Sequence, residues 1–255
     1  WVALGLYVLI GVVLLQPDLI GGVLGHDVGG HISQHFRLPH HRVHDLTFSF
    51  LVGTAVVGML AQLRAPSQNV AGQLMALIPW IALGLSFALA MTWPPFAPAP
   101  ILGALTLVAT VLHPTGRAFF RSFRVARVNR TMLALVIVVA VPLLAFAFSN
   151  IRLQRSTTND HAELGHYGFM AAFGFTVVGV GLLASLRPDG WRLTAWVAGV
   201  LAALLGLASV ILPDLDSSLG LAWSIAAIVW GVTFIAASEF ILRGSRNRAR
   251  AIRAE

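Results

Sequence analysis

The chain has 255 residues, of which 57% are apolar and 11% charged, where a soluble domain carries about a quarter charged residues. Together with a mean hydropathy of +0.82, this excludes a soluble globule and predicts an all-α integral membrane protein in a lipid bilayer. The formal charge of +7 acquires a meaning only once topology is assigned, and the absence of Cys and Lys excludes disulfides, thiolate metal ligands and the Schiff-base chemistry of retinal pigments or pyridoxal enzymes.

Apolar stretches close to the roughly 20-residue bilayer length predict eight transmembrane helices, at 2–22, 45–63, 72–92, 97–113, 131–149, 164–186, 191–212 and 217–241. The first is interrupted by Gln16, Pro17 and Asp18. Proline removes a helical hydrogen bond, so a kink or stop is expected there, with residues 19–36 as a separate interfacial helix.

Orientation follows from the arginines, which are retained on the cytoplasmic side. With eight spans, one face carries thirteen of them: Arg64, the run from Arg117 to Arg130, Arg187, Arg192 and the run from Arg243 to Arg253. The other carries Arg37, Arg42, Arg152 and Arg155, together with seven of the ten acidic residues. The reading is a plasma (bacterial inner) membrane protein with both termini cytoplasmic. Its arginine runs hold helix ends at the headgroups, so no nucleic-acid partner is expected.

The segment FLVGTAVVGMLAQLR from Phe50 to Arg64 and the segment FGFTVVGVGLLASLR from Phe173 to Arg187 match at an offset of 123. Each follows an outer segment containing histidine, HHRVHD or DHAELGH. The chain therefore reads as two four-helix repeats in parallel orientation. Residues 1–115 form the first, with an outer His-rich segment at 26–45; an Arg-rich cytoplasmic linker at 116–130 leads to the second at 131–242, and 243–255 is a basic tail.

Eight of the nine histidines fall on the outer face. If 26–36 is helical, Asp27, His31 and His35 recur every four residues and project from one side, as ligands to a shared ion must, although Gly29 and Gly30 weaken that helix. His40, His41, His44 and Asp45 follow in a loop, and His161 and His166 approach from the second repeat. This predicts a transition metal ion (Fe, Zn or Cu) held by Asp27, His31, His35, His40, His41, His44, His161 and His166, with Asp45 or Asp160 orienting a ligand imidazole as candidate catalytic residues.

HISQH at 31–35 is an HxxxH box, and His35 with His40 and His41 gives HxxxxHH. The pattern resembles the histidine boxes of membrane desaturases and alkane hydroxylases, which implies iron and an apolar substrate. Those families carry a further HH pair much later in the chain, which is missing here, and present their boxes to the cytoplasm. The repeated His-containing segment before a VVG-type span, with Glu239 near the end of the last helix, resembles an uncharacterised bacterial multi-span family related to Frag/DRAM/Sfk membrane proteins, a resemblance that implies no reaction.

Other groups have plainer readings. Asp214 and Asp216 suit loop and N-cap chemistry, Ser33 and Ser49 lie among histidines by composition, His113 beside Pro114 is structural, and Glu239 snorkels towards Arg243. The expected function is that of a metalloprotein with an exoplasmic His/Asp site acting on a lipid or other apolar small molecule, by metal-dependent oxidoreductase or hydrolase chemistry. The competing class is a transporter, an electron carrier with haem b held by His44 and His166, or an accessory subunit of a larger membrane complex.

Overall fold

A computed structural model describes residues 42–252 apart from 64, 95–97, 116–120, 122, 124–126 and 216, with side chains for those of them from 43 to 240 other than 98. The expected span at 2–22, the interfacial helix and the proposed ligands Asp27, His31, His35, His40 and His41 lie outside the described residues. Within them every element is helical: α1 (Arg42–Leu60), α2 (Val70–Ala90), α3 (Pro98–Val111), α4 (Arg130–Ser156), the one-turn α5 (Asp160–Glu163), α6 (His166–Leu186), α7 (Trp191–Ile211) and α8 (Leu221–Ile252).

Six of these helices are long and apolar enough to cross a membrane. Helix α3 is shorter than the expected span 97–113. It starts at Pro98, whose fixed φ suits a first turn, and gives way before His113 and Pro114. Its 14 residues rise about 21 Å against a hydrocarbon core of about 30 Å. Helix α4, at 27 residues, overruns the expected 131–149 at its C-terminal end because the polar turn NIRLQRS remains helical until Thr157 turns extended. The last span begins at Leu221 rather than 217, after a turn that ends on Gly220 with φ +73°.

The caps explain where the other helices start. The Asn129 side chain accepts from Met132 N at 2.8 Å to open α4, and Gly165 and Gly190, both left-handed, precede α6 and α7. Chain direction alternates so that α1, α3, α6 and α8 start at one end of the bundle, where α2, α4 and α7 finish. Arg127, Arg130, Arg187 and Arg192 lie at the opposite, basic end.

Helix α6 is the centre of the bundle: 72% of its spanning window is buried, against 17% for α4. It is lined with Gly168, Ala171, Ala172, Gly174, Gly181 and Ala184, and small residues allow close backbone approach where lipid removes the usual hydrophobic drive between helices. Phe87, Phe173 and Phe234 fill the spaces between helices and are fully buried. The face of α4 carrying Ile137, Val138 and Val141 is exposed, as a lipid-contacting surface must be. Helices α7 and α8 meet through Gly199 and Gly231. Near the basic end of that interface, Arg192 grips both oxygens of Glu239 at 2.7 and 2.8 Å while Trp196 Nε1 donates to the same carboxylate at 2.8 Å.

Candidate metal centre

Three histidines converge at the end of the bundle opposite the basic one. His44 projects from the first turn of α1, His161 from α5 and His166 from the first residue of α6. One nitrogen of each lies within 4.8 Å of the other two, an arrangement that can hold a metal ion. His44 and His166 are buried and His161 is half-buried. The His44 and His166 rings stack at 4.9 Å and 18°, and the His161 ring lies 4.8 Å from that of His44.

Local structure sets this geometry. Asn159 caps α5 by accepting from Ala162 N, and Gly165, at φ +73°, reverses the chain so that α5 folds back over the start of α6. The Nδ1 atoms of His161 and His166 therefore come to 3.2 Å. The bracket is Gln154 of α4, which is buried: its Nε2 donates to Ala162 O at 2.7 Å and its Oε1 accepts from Gly168 N at 3.0 Å, one bond on each side of the turn. Below, Thr47 Oγ1 donates to His44 O at 2.7 Å and also lies 3.4 Å from Met170 Sδ.

Asp45 is the carboxylate at the site, with Oδ1 3.9 Å from His166 Nε2. Its Oδ2 is buried and accepts no hydrogen bond among the described residues. Asp160 precedes His161 but is exposed, and Asp214 lies exposed in the turn after α7. His113 is at the far end, between Gln62 Oε1 and the Thr115 amide, each at 3.3 Å.

Tyr167, Asn159 and Gln154 were not expected from the sequence. The Tyr167 ring meets His44 edge-on at 6.0 Å and His161 at 5.9 Å, and its hydroxyl accepts from Asn159 Nδ2 at 3.2 Å. The offset of 123 between the two related segments points to Tyr167, since it pairs His44 with Tyr167, Thr47 with Met170 and Phe50 with Phe173. Each pair meets across the α1 and α6 contact, the two Phe rings at 6.1 Å. Nothing comparable marks Gln154, which reads as one more polar residue at a helix end.

Beneath the histidines lies an aromatic layer: Phe48 and Phe169 at 4.8 Å, and Phe169 and Phe87 at 5.7 Å. Phe87 also lines a cavity of about 380 Å³ between α2 and α3, with Trp80, Met91, Trp93 and Pro100 in its walls. No family model, curated protein or solved structure matches this chain.

Proposed function

We propose that this is an integral membrane metalloprotein whose His44, His161 and His166 bind one transition metal ion on the exoplasmic face. The observation that carries the reading is the convergence of three mostly buried imidazoles from separate elements. Tetrahedral zinc bound at 2.0 to 2.1 Å by nitrogen has ligands about 3.3 Å apart. The 3.2 Å between the Nδ1 atoms of His161 and His166 is close to that edge, and a nitrogen of His44 lies within 4.8 Å of a nitrogen of each, so binding would require His44 to draw in.

Were His166 to bind an ion through Nδ1, Asp45, with Oδ1 3.9 Å from Nε2, would be the carboxylate available to orient that imidazole. Three neutral imidazoles suit zinc, copper or iron and leave a coordination position for water or substrate. An ion there would supply Lewis-acid or redox chemistry. The Tyr167 ring packs against His44 and His161, and the cavity lined by Phe87, beyond the aromatic layer, supports a lipid or other apolar small molecule as the substrate class. Two axial imidazoles point at each other from opposite faces of a haem, whereas these two lie side by side, which favours a single ion.

The excess of arginine at the opposite end supports an exoplasmic site with cytoplasmic termini. The pairs at an offset of 123 that face one another support two parallel four-helix repeats, and with them the eight-span count.

Elemental analysis of protein purified in detergent without chelator tests the assignment. The expected result is near-stoichiometric iron, zinc or copper without a Soret band, lost in His44→Ala, His161→Ala and His166→Ala and kept in His113→Ala. Absence of metal from carefully loaded protein sinks the proposal. So does loss of metal in His31→Ala and His35→Ala with retention in His161→Ala and His166→Ala.

A further inference from the structure

The basic end holds a second cavity, of about 550 Å³, which the metal site does not use. Its walls come from three segments adjacent in space: Ser67 and Gln68 ahead of α2, Arg127 ahead of α4, and Arg187 and Asp189 between α6 and α7 with Trp191 at the start of α7. The walls are fixed by backbone contacts. Ala71 N donates to Asp189 O at 2.9 Å, Asn129 N donates to Ser185 O at 2.8 Å, and a Cβ on left-handed Gly190 would stand 2.8 Å from Asn69 Oδ1.

The charges are unbalanced. Arg127 pairs with Asp189 at 2.9 Å, whereas Arg187 has no carboxylate partner among the described residues. Its guanidinium lies over the Trp191 ring at 4.9 Å, and its Nε is buried with no hydrogen-bond partner among the described residues. Burial, and then the charge of Arg127, pushes the Arg187 pKa down, so the cation is held where its own neighbours disfavour it. An anion between the two guanidiniums relieves both effects. Arg187 also has φ +52°, a left-handed conformation that a residue other than glycine adopts at a cost.

Height in the bilayer identifies the anion. The cavity lies where α6 ends at Leu186 and α7 and α2 begin at Trp191 and Val70, just past the ends of three apolar spans. Phospholipid phosphates occupy that level, and basic pockets between transmembrane helices on the cytoplasmic side bind anionic headgroups. Trp191 is the amphipathic ring expected at such an interface.

We infer that Arg127, Arg187 and Trp191, with Ser67 and Gln68, form a binding site for the phosphate of an anionic phospholipid headgroup at the basic end of the bundle. The Asp189 carboxylate competes for Arg127, so it sets the affinity and does not abolish it.

The test is native mass spectrometry of the full chain in neutral detergent, titrated with phosphatidylglycerol, phosphatidylcholine or inorganic phosphate. Phosphatidylglycerol should bind about tenfold more tightly than phosphatidylcholine. The preference should fall about tenfold in Arg127→Gln combined with Arg187→Asn, asparagine being a residue that tolerates the left-handed conformation. Arg121→Gln, an exposed arginine outside the cavity, should leave it unchanged. Asp189→Asn should raise phosphatidylglycerol affinity several-fold, a gain that misfolding cannot imitate. Equal binding of the two lipids, an unchanged preference in the double variant, or binding of inorganic phosphate that matches the lipid overturns the inference. Metal content, read on the same samples, should not change with any of these substitutions.

Discussion

Asp45 and Gln154 stand beside the three histidines, the first 3.9 Å from His166 and the second bonded to the backbone on both sides of the turn between α5 and α6. Asp45 stands behind His166, where an outer carboxylate typically contributes 10- to 100-fold in metal affinity. Asp45→Asn should therefore lower affinity in a chelator-competition titration by about that factor while full occupancy is still reached at saturating metal. Complete loss of binding would make Asp45 a ligand, and no change would remove it from the site. His113 behaves differently, because burial holds its pKa below the ordinary 6.5, opposed by a hydrogen bond to the Pro66 backbone. The unfolded chain then takes up the proton first, so this contribution to stability is complete above pH 6.5 and is lost as pH falls through the lower folded value. The melting midpoint in detergent should rise between about pH 5 and about pH 7, and His113→Gln should remove part of that rise. The grouping of His44 with His161 and His166 was legible in the sequence, because residue type and the placing of all three on one face carry it. Gln154 was not legible, because its role is to satisfy two backbone groups that only the folded turn brings within reach.

At the scale of elements, packing between helices depends on absent side chains. A Cβ at Gly231 would collide with the carbonyl oxygen of Gly199, and one at Gly199 would lie 2.6 Å from Gly231 O. Gly231→Leu should part α7 from α8 and lower the melting midpoint by an amount corresponding to about 1 to 3 kcal/mol or more of overpacking. Gly53→Ala is the control: a Cβ there has nothing within 4 Å, so helix propensity alone should leave stability unchanged or slightly higher. Apolar length found α1, α2, α4, α6, α7 and α8 but overstated α3. Counting apolar residues measures how much chain lipid accepts and not how much of it is helical. Pro98 opens the helix and Pro114 follows its end, so the helix is shorter than the span counted from apolar residues. Sequence spacing offers Glu239 only Arg243, whose side chain lies outside the described ones, whereas packing also brings it Arg192 and Trp196 from the preceding helix α7.

At the scale of the molecule, the two ends differ in chemistry, with the cluster of His44, His161, His166 and Asp45 at one and the cavity of Arg127 and Arg187 at the other. The cysteine-free chain makes orientation directly measurable. In intact bacterial cells, Thr158→Cys at the histidine end should react with a membrane-impermeant maleimide, and Gln68→Cys at the basic end only after permeabilisation, since both positions are exposed. The opposite pattern would place the histidines in the cytoplasm. The distribution of ligands along the chain also has a consequence in time. His44 belongs to α1, whereas His161 and His166 follow only after α2, α3 and α4. Because synthesis proceeds from the amino terminus, the nascent protein enters the bilayer with a single member of the triad and gains the other two when α6 is threaded in. Capture of an ion at the proposed site would thus be a late event in biogenesis, a fastening between early and late parts of the chain that no shorter nascent form could make.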